Sequence, residues 1–159
     1  MKYYLGLGSN LGQKKDNLRQ ALAQLRNEGI RILRSSSLYE TEPKDVPEQP
    51  WFYNQVVQVE ARFSPQELLK LLKKIEKRMG RKASAKKAPR KIDLDILLAE
   101  NTVIRTRELV IPHPRLEKRN FVLIPLSEIA PGVVHPVLKI RIEDLAAIAE
   151  DQSVVKKLE

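Results

Sequence analysis

Apolar residues recur along the chain at two spacings, which together predict an alternation of strands and helices. Residues 2–7 and 30–39 are predicted as strands, and residues 53–63 as a third strand with apolar side chains at alternate positions from Val57 onward. Between the first two strands, apolar residues are spaced as on one face of a helix that ends at Gly29. This face comprises Leu18, Ala21, Leu22 and Leu25.

The second predicted helix has a complete start signal. Ser64 is placed to cap it, Pro65 to occupy its first position, and Glu67 to close a capping box with Ser64. Its buried stripe is predicted to consist of Leu68, Leu71, Leu72, Ile75 and Met79. Gly80 then ends the helix, because glycine readily adopts the left-handed backbone conformation that often follows a helix.

The remaining segments complete a strand-helix-strand-strand-helix-strand order. Residues 92–98 are predicted as a strand followed by a hairpin across Asn101, residues 112–136 as a proline-punctuated segment, and residues 143–150 as a last helix. This order is that of an α+β ferredoxin-like sandwich, in which helices cover one side of a mainly antiparallel sheet. We therefore expect the opposite face of the sheet to be open.

Size, composition and charge limit the class of protein. The 159 residues are predicted to form one domain, 1–159, with roughly the last ten residues as a tail. The chain has no cysteine, no apolar signal-peptide core in residues 1–8, and no run of about 18 apolar residues for a membrane span, so we expect a cytoplasmic protein. The net charge of +9 predicts a polyanionic partner, which is nucleic acid, an acidic membrane surface or a nucleotide polyphosphate.

Two carboxylates share one face of the last long predicted strand. Alternation places Asp93 and Asp95 on one side and the apolar Ile92, Leu94 and Ile96 on the other. Two residues along a strand span roughly 6 to 7 Å, so two ionised carboxylates repel each other there unless a cation lies between them or one is protonated. Oxygen ligands on a rigid strand suit Mg²⁺. The pair is a candidate metal site, and a solvated acidic strand face is the alternative.

Basic residues are concentrated just before the acidic pair. They are Arg81, Lys82, Lys86, Lys87, Arg90 and Lys91. Such a density suits a triphosphate held by metal ions on the carboxylates, which makes Arg81 and Arg90 candidate nucleotide contacts. A basic loop that contacts RNA would have the same composition.

A glycine-rich run, residues 6–12, follows the first predicted strand. Its third glycine comes one residue late for the dinucleotide-binding fingerprint, and no P-loop pattern occurs in the chain. We therefore interpret Gly6 and Gly8 as part of a tight turn that needs positive φ.

Three further positions have both a chemical and a structural interpretation. His113 lies between two prolines that restrict its backbone, so it is placed to donate to a phosphate or to act as an acid, although an isolated loop histidine often has no such role. Phe52 and Asn54 alternate on one strand face and would suit a flat heterocycle through an aromatic surface and an amide. A buried phenylalanine and a capping asparagine would give the same pattern.

Five segments stand in order along nearly the whole chain. They are LGLGSNLG (5–12), SSLYETEP (36–43), QPWFYN (49–54), PRKIDLDI (89–96), and PHPRL (112–116) with RNF (119–121). Together they closely resemble the 6-hydroxymethyl-7,8-dihydropterin pyrophosphokinases of folate synthesis. The resemblance implies that the terminal pyrophosphoryl group of ATP is transferred to the hydroxymethyl group of the pterin, leaving AMP, with two Mg²⁺ ions bridging the phosphates.

The resemblance also implies a role for particular residues. Asp93 and Asp95 would hold both metal ions, and Asp93 would be the carboxylate nearest to the attacking hydroxyl. The implied triphosphate contacts are Arg90, His113 and Arg119, with Glu76 near the nucleotide and Ile96 in the adenine pocket. The implied pterin contacts are Phe52 and Phe121 on its two faces and Asn54, Thr41, Pro43 and Lys44 at its edge.

Two alternatives stay open from the residues alone. A basic ferredoxin-like RNA-binding domain would carry exposed stacking aromatics and no acidic pair on its sheet face, and a nucleotide-binding regulator would keep the fold without catalysis. The resemblance favours the enzyme, which we expect to be a monomer that acts on ATP and the pterin without a nucleic-acid or membrane partner. The chain departs from many relatives at residues 86–88, where Lys-Lys-Ala replaces Arg-Trp-Gly.

Overall fold

A computed structural model describes residues 1–43, 47–80 and 89–158 of the chain. Its helices are α1 (Lys14–Asn27), α2 (Pro65–Arg78), α3 (Asn120–Ile129) and α4 (Ile142–Ile148), with a 3₁₀ helix at Leu116–Lys118. Its strands are β1 (Lys2–Ser9), β2 (Arg31–Ser35), β3 (Tyr39–Thr41), β4 (Phe52–Glu60), β5 (Asp93–Ala99), β6 (Ile104–Arg105), β7 (Val110–Ile111) and β8 (Val155–Lys157).

The main sheet is antiparallel at every strand pair. Its order is β5-β1-β4-β3-β8, and β2 pairs with the part of β4 that β3 leaves free. Strands β6 and β7 form a separate two-stranded sheet. With helices packed on the sheet, this arrangement confirms the predicted α+β ferredoxin-like sandwich.

Helices α1 and α2 cover one face of the sheet and bury the residues that the hydrophobic pattern predicted. The core on this side includes Leu5, Leu7, Leu18, Ala21, Leu25, Val57, Val59, Leu68, Leu72, Ile75, Leu94 and Ile96. The capping box of α2 is formed as predicted, because Ser64 Oγ accepts from the Glu67 amide at 3.2 Å and Glu67 Oε1 accepts from the Ser64 amide at 2.8 Å. Gly29 and Gly80 follow α1 and α2 with positive φ.

Helices α3 and α4 cover part of the other face, which is therefore not free over its whole length. The core on this side includes Val56, Leu97, Leu98, Leu116, Val122, Leu123, Leu126, Ile129, Ile142 and Leu145. The proline-punctuated pattern did not predict α3, since Pro125 lies inside the helix and removes one backbone donor. Burial of the apolar side of α3 on the sheet outweighs that loss, as tertiary packing usually does for short helices.

The predicted strand at residues 30–39 is interrupted at Ser36. The Ser36 amide donates to the Val56 carbonyl at 2.8 Å, and its Oγ accepts from the Val56 amide at 2.9 Å. One serine therefore satisfies both backbone groups of Val56, and the chain separates into β2 and β3. Sequence alternation alone does not show this break, because a serine is compatible with a continuous strand.

Two expectations about the second half of the chain are wrong. The chain does turn after β5, with the Thr102 amide donating to the Ala99 carbonyl at 2.8 Å, but the next strand, β6, pairs with β7 and not with β5. The last residues are also not a tail over their whole length, because β8 pairs with β3 as an edge strand. Within the described part of the chain, no helix has both the length and the apolar character needed to cross a membrane.

Candidate active site

A cleft lies on the sheet face where α3 does not cover it. Strands β1, β4 and β5 form its floor, the residues after β3 form one wall, and the start of α3 forms another. The predicted site residues that line it are Thr41, Pro43, Phe52, Asn54, Arg90, Asp93, Asp95, Arg119 and Phe121. The structure therefore brings together most of the residues that the sequence suggested, from segments up to 80 positions apart in numbering.

The two carboxylates lie beside bare backbone. Asp93 and Asp95 are partly exposed and line the cleft, while the residues between and after them are buried in the core. On the neighbouring strand β1, Gly8 pairs with Asp93 and Gly6 pairs with Asp95. Because glycine has no side chain, β1 places none between these carboxylates and the cleft that Gly6 and Gly8 help to line.

Gly6 and Gly8 are strand residues, so the predicted tight turn at these positions is wrong. The residue with positive φ in this run is Gly12, at 71°. A Cβ on Gly8 would lie 2.6 Å from Asn54 Oδ1, whereas a Cβ on Gly6 would make an ordinary 3.5 Å contact with Leu97. Gly8 is therefore required by the close approach of Asn54, a cause that the sequence pattern does not reveal.

Asn54 is held at the cleft by a buried hydrogen bond. Its Nδ2 donates to Thr41 Oγ1 at 2.7 Å, and both residues are almost completely buried. Thr41 also pairs with Phe52 across β3 and β4. The side-chain amide of Asn54, the hydroxyl of Thr41 and the ring of Phe52 are therefore held close together. The predicted shared face of Phe52 and Asn54 is confirmed, and their arrangement offers an aromatic surface beside an amide edge.

Two arginines approach the acidic pair from different elements. Arg90 Nη1 lies 4.0 Å from Asp93 Oδ2, and Arg90 Nε is buried without a hydrogen-bond partner among the described residues. Such a donor is expected to meet a polar group when a ligand binds, because buried N–H groups are rarely left unpaired. Arg119 lies at the start of α3, with its guanidinium 5.4 Å from the centre of the Phe121 ring. The cleft is therefore acidic at its floor and basic at its rim.

Asn10 positions Arg90 and was missed by the sequence analysis. Its Oδ1 accepts from the Arg90 amide at 2.6 Å, and its own amide donates to the Arg90 carbonyl at 3.0 Å. Its Nδ2 donates to Gln49 Oε1 at 3.0 Å and to the Pro50 carbonyl at 3.3 Å. This buried asparagine therefore joins the end of β1 to the two loops that flank the cleft, a role that needs three distant segments and has no local signal.

His113 lies next to the cleft and is neutral at pH 7. Its amide donates to the Leu97 carbonyl at 3.0 Å, and its Nδ1 accepts from the Arg115 amide at 3.3 Å. The pKa of His113 is lowered to about 4, chiefly by burial and next by the positive charge of Arg119, while the negative charge of Asp93 opposes the shift. With Nδ1 acting as an acceptor, the neutral ring carries its proton on Nε2.

Two predicted residues lie on the opposite side of the sheet from the cleft, and the placement of two others is not described. Glu76 is buried on α2, and its Oε2 accepts from the Leu94 amide at 2.8 Å, so it holds the outer edge of β5. The Ile96 side chain is in the core beneath the sheet. Both lie on the face opposite the carboxylates, because strand alternation and the position of α2 place them there. Lys44 and Arg81 lie outside the described residues.

The donor set fits a metal ion that arrives with its substrate. In residues 1–43, 47–80 and 89–158, no group of three or more His, Cys, Asp or Glu side chains is arranged to hold a metal ion. Asp93 and Asp95 alone supply only part of an octahedral oxygen shell. Mg²⁺ is commonly bound in this way, through one or two carboxylates together with substrate phosphates and water.

The α+β sandwich and a cleft with acidic, basic and aromatic side chains suit an enzyme that handles phosphate-containing substrates. The chain belongs to the 7,8-dihydro-6-hydroxymethylpterin-pyrophosphokinase (HPPK) family, whose sequence profile matches residues 4–131. The resemblance that the five segments suggested is thereby confirmed, and the family consists of ATP-dependent pyrophosphokinases.

Relatives of two different lengths are similar in sequence to this chain. The chain is 45% identical to the 2-amino-4-hydroxy-6-hydroxymethyldihydropteridine pyrophosphokinase of Aquifex aeolicus, over 86% of this chain and 84% of the relative. It is 42% identical to the enzyme of the same name from Bacillus subtilis, over 82% of this chain and 78% of the relative. It is 48% identical to the folic acid synthesis protein fol1 of Schizosaccharomyces pombe over 84% of this chain, but it spans only 18% of that protein.

A solved structure supports the fold. The Plasmodium falciparum HPPK-DHPS crystal structure with pteroate superposes with a TM-score of 0.75 at 18% identity, covering 92% of this chain and 44% of that chain. At this identity the similarity concerns the arrangement of strands and helices. It agrees with the α+β architecture described above.

Proposed function

We propose that this chain transfers the terminal pyrophosphoryl group of ATP to the hydroxymethyl group of 6-hydroxymethyl-7,8-dihydropterin, giving AMP and the pterin diphosphate. The observation that supports this most strongly is the composition of the single cleft described above. It places an aromatic and amide surface beside an acidic pair and two arginines, so one end suits a flat heterocycle and the other suits a metal-bound polyphosphate. Membership of the family makes this reaction the natural assignment.

The pterin is proposed to lie between two aromatic rings. Phe52 on β4 and Phe121 on α3 both line the cleft and would contact opposite faces of the ring system. Asn54, oriented by Thr41, would bind the polar edge of the heterocycle, with backbone near Pro43 completing the contact. The hydroxymethyl group would then extend towards Asp93.

The triphosphate is proposed to lie between the acidic pair and the arginines. Asp93 and Asp95 would hold Mg²⁺, two ions in our proposal, which when bound with ATP neutralise phosphate charge and stabilise the leaving AMP. Arg90 would use its buried Nε and its Nη groups, Arg119 its guanidinium, and His113 its Nε2–H to contact phosphate oxygens. These residues position charge and substrate, which is most of what group transfer between phosphates requires of a protein.

The chemical step joins the hydroxymethyl oxygen of the pterin to the β-phosphorus of ATP. The bond between that phosphorus and the oxygen bridging it to the α-phosphorus breaks, and AMP leaves with this oxygen. The hydroxyl proton passes to Asp93 or to water as the new bond forms. This transfer requires no protein nucleophile, so the absence of cysteine from the sequence is no handicap.

The proposal also covers the setting in which the chain acts. We propose a single pyrophosphokinase domain that works as a monomer in the cytoplasm, with ATP and the pterin as its partners. The RNA-binding alternative is not supported, because it required a sheet face without an acidic pair, and Asp93 and Asp95 lie on that face. Sedimentation equilibrium of the purified protein would test the monomer directly.

The reaction is tested by incubating the protein with ATP and hydroxymethyl-dihydropterin, with and without Mg²⁺. We expect AMP and the pterin diphosphate in equal amounts, identified by mass spectrometry, only when all three components are present. Formation of ADP, or release of AMP without the pterin, would contradict the proposed transfer. Titration with Mg²⁺ alone should show weak binding that strengthens greatly with ATP, because the protein supplies only two carboxylates.

A further inference from the structure

The C-terminal segment of the chain joins the two walls of the cleft. We define the C-terminal strap as residues 151–157, which includes β8 and lies beyond residues 4–131 that match the family. Family membership therefore assigns this segment no role. Its hydrogen bonds lead to one wall through β3 and to the other through α3.

The first wall is attached to the strap at Glu42. The Glu42 amide donates to the Val154 carbonyl at 3.2 Å, and the Val154 amide donates to Glu42 Oε1 at 2.8 Å. The next residues pair as strands, with Thr41 opposite Val155. The wall that carries Thr41 is therefore hydrogen-bonded to the strap from Tyr39 to Glu42.

The second wall is attached to the strap at Asp151. Asp151 Oδ2 accepts from the Asn120 amide at 3.0 Å, and the Asp151 carbonyl accepts from Asn120 Nδ2. Asn120 is the first residue of α3 and stands between Arg119 and Phe121, which both line the cleft. Asp151 Oδ1 also accepts from the Ser153 amide at 2.9 Å, which orders the strap between its two attachments.

The length of the strap limits how far apart the walls can lie. Asp151 and Val154 are three residues apart, and three extended residues span at most about 10 to 11 Å. Thr41 pairs with Phe52 on β4, so the strap also limits the separation of Phe52 from Phe121. A flat ring between these two aromatic side chains needs roughly 7 Å, since carbon atoms in contact lie about 3.5 Å apart. The opposite end of α3 is fixed separately, because Glu128 Oε1 accepts from the Tyr39 hydroxyl at 2.6 Å. The strap therefore secures the end of α3 that bears Phe121.

We propose that Asp151 is a positioning residue that holds the Phe121 wall and the Thr41 wall at the separation needed to bind the pterin. This inference rests on the proposed function. When both walls are already ordered, less entropy is lost as the pterin binds. Removing the Asp151 side chain should therefore weaken pterin binding more than it slows the chemical step. Of the residues proposed to bind ATP, Arg119 adjoins Asn120, whereas Asp93 and Asp95 lie on β5, so we expect a smaller effect on ATP than on the pterin.

The test compares Asp151→Ala, Asp151→Asn and Gln152→Ala in the full chain. Gln152→Ala is the matched control, since this residue is exposed within the same segment. We expect Asp151→Ala to raise the KM for the pterin about tenfold, to raise the KM for ATP by less, about threefold, through Arg119, and to leave kcat within about twofold. Asp151→Asn should give an intermediate KM, because its amide keeps one of the two side-chain acceptors. The control should match the unsubstituted protein.

A second measurement does not depend on activity. Hydrogen exchange of the ligand-free protein should show faster exchange in Asp151→Ala at the amide of Glu42, on the wall that Asp151 does not contact, as well as at Asn120. An unchanged Glu42 amide, or a lower Tm with no change in pterin KM, would overturn the positioning role. If the unsubstituted protein formed no pterin diphosphate while exchange at Glu42 still responded, the proposed function would fail and the structural coupling would stand.

Discussion

The two faces of β5 show how one strand serves stability on one side and chemistry on the other. Towards α1 and α2, Leu94 and Ile96 are 4% exposed and belong to a continuous apolar core. Towards the cleft, Asp93 and Asp95 are partly exposed and lie beside the bare backbone of β1. The first face is filled with packed apolar side chains, whereas the second borders a cleft to which β1 contributes no side chain at Gly6 and Gly8.

This difference predicts that stability and activity can be changed separately by substitutions at adjacent positions. A buried leucine contributes through apolar area and close packing, which any substrate-free measurement detects. A carboxylate that lines an open cleft contributes mainly when a cation and phosphates are present. Substitutions on the two faces should therefore give opposite signatures in unfolding and kinetic experiments.

The largest expected effect is that of Asp95→Asn on turnover. Removing one of two anionic metal ligands should lower kcat on the order of a thousandfold, because the phosphate charge is no longer neutralised. The Tm should change little, since Asp95 is partly exposed and makes no contribution to the apolar core. Steady-state kinetics with ATP and the pterin, together with thermal unfolding, would measure both. Turnover at the unsubstituted rate would contradict the assignment of the acidic pair.

The opposite face is tested by Leu94→Ala. Loss of this buried side chain should lower the free energy of unfolding by about 2 to 5 kcal/mol, through lost apolar burial and the cavity that remains. Turnover per folded molecule should stay within a few fold, because the Leu94 amide keeps its bond to Glu76. Urea unfolding followed by circular dichroism gives the stability. A large loss of kcat in a fully folded sample would show that the two faces are not independent.

The first face could be predicted from the sequence because its cause is local. The stripe on α2, its capping box and the alternation in β5 each follow from spacings of two to four residues, and the structure confirms them. The placement of Asp93 and Asp95 on one face of β5 also follows from alternation. A candidate metal site followed from the same spacing, with a solvated acidic face as the alternative, whereas the proposed reaction required the resemblance to a known family.

The second face could be predicted only in part, because several of its causes are tertiary. Helix α3 forms around Pro125 only because the sheet buries its apolar side, and Gly8 is needed only because Asn54 approaches it. Asn10 and Asp151 each join segments that are distant along the chain. Polar residues that act through long-range hydrogen bonds leave no periodic pattern, so sequence analysis finds neither the residue nor its partner.

Gly8→Ala would sharpen the comparison by adding a side chain to the bare face. The new Cβ would lie 2.6 Å from Asn54 Oδ1, so Asn54 must move and its bond to Thr41 must lengthen or break. We expect the KM for the pterin to rise about tenfold and stability to fall by about 1 to 3 kcal/mol. Gly6→Ala is the matched control for folding, because its Cβ would make an ordinary 3.5 Å contact with Leu97. Equal stability losses in the two variants would argue against a specific conflict at Asn54.

The smallest expected effect concerns the protonation of His113 beside the cleft. Its pKa is about 4 in the folded protein, below the ordinary 6.5, because burial and Arg119 disfavour the imidazolium. Between these values the unfolded chain binds a proton that the folded chain does not, so stability is greatest above pH 6.5 and falls as the pH is lowered towards 4. The loss is at most about 1.4 kcal/mol for each unit of pH.

His113→Asn keeps an acceptor for the Arg115 amide but cannot take up this proton, so it should lose less stability than the unsubstituted protein between pH 7 and pH 5 in urea unfolding. His135 also has a pKa lowered by burial, and its contribution should persist in the variant. The same pH dependence in both proteins would show that the pKa of His113 is not lowered by folding, and that its surroundings beside the cleft are more hydrated than the geometry implies.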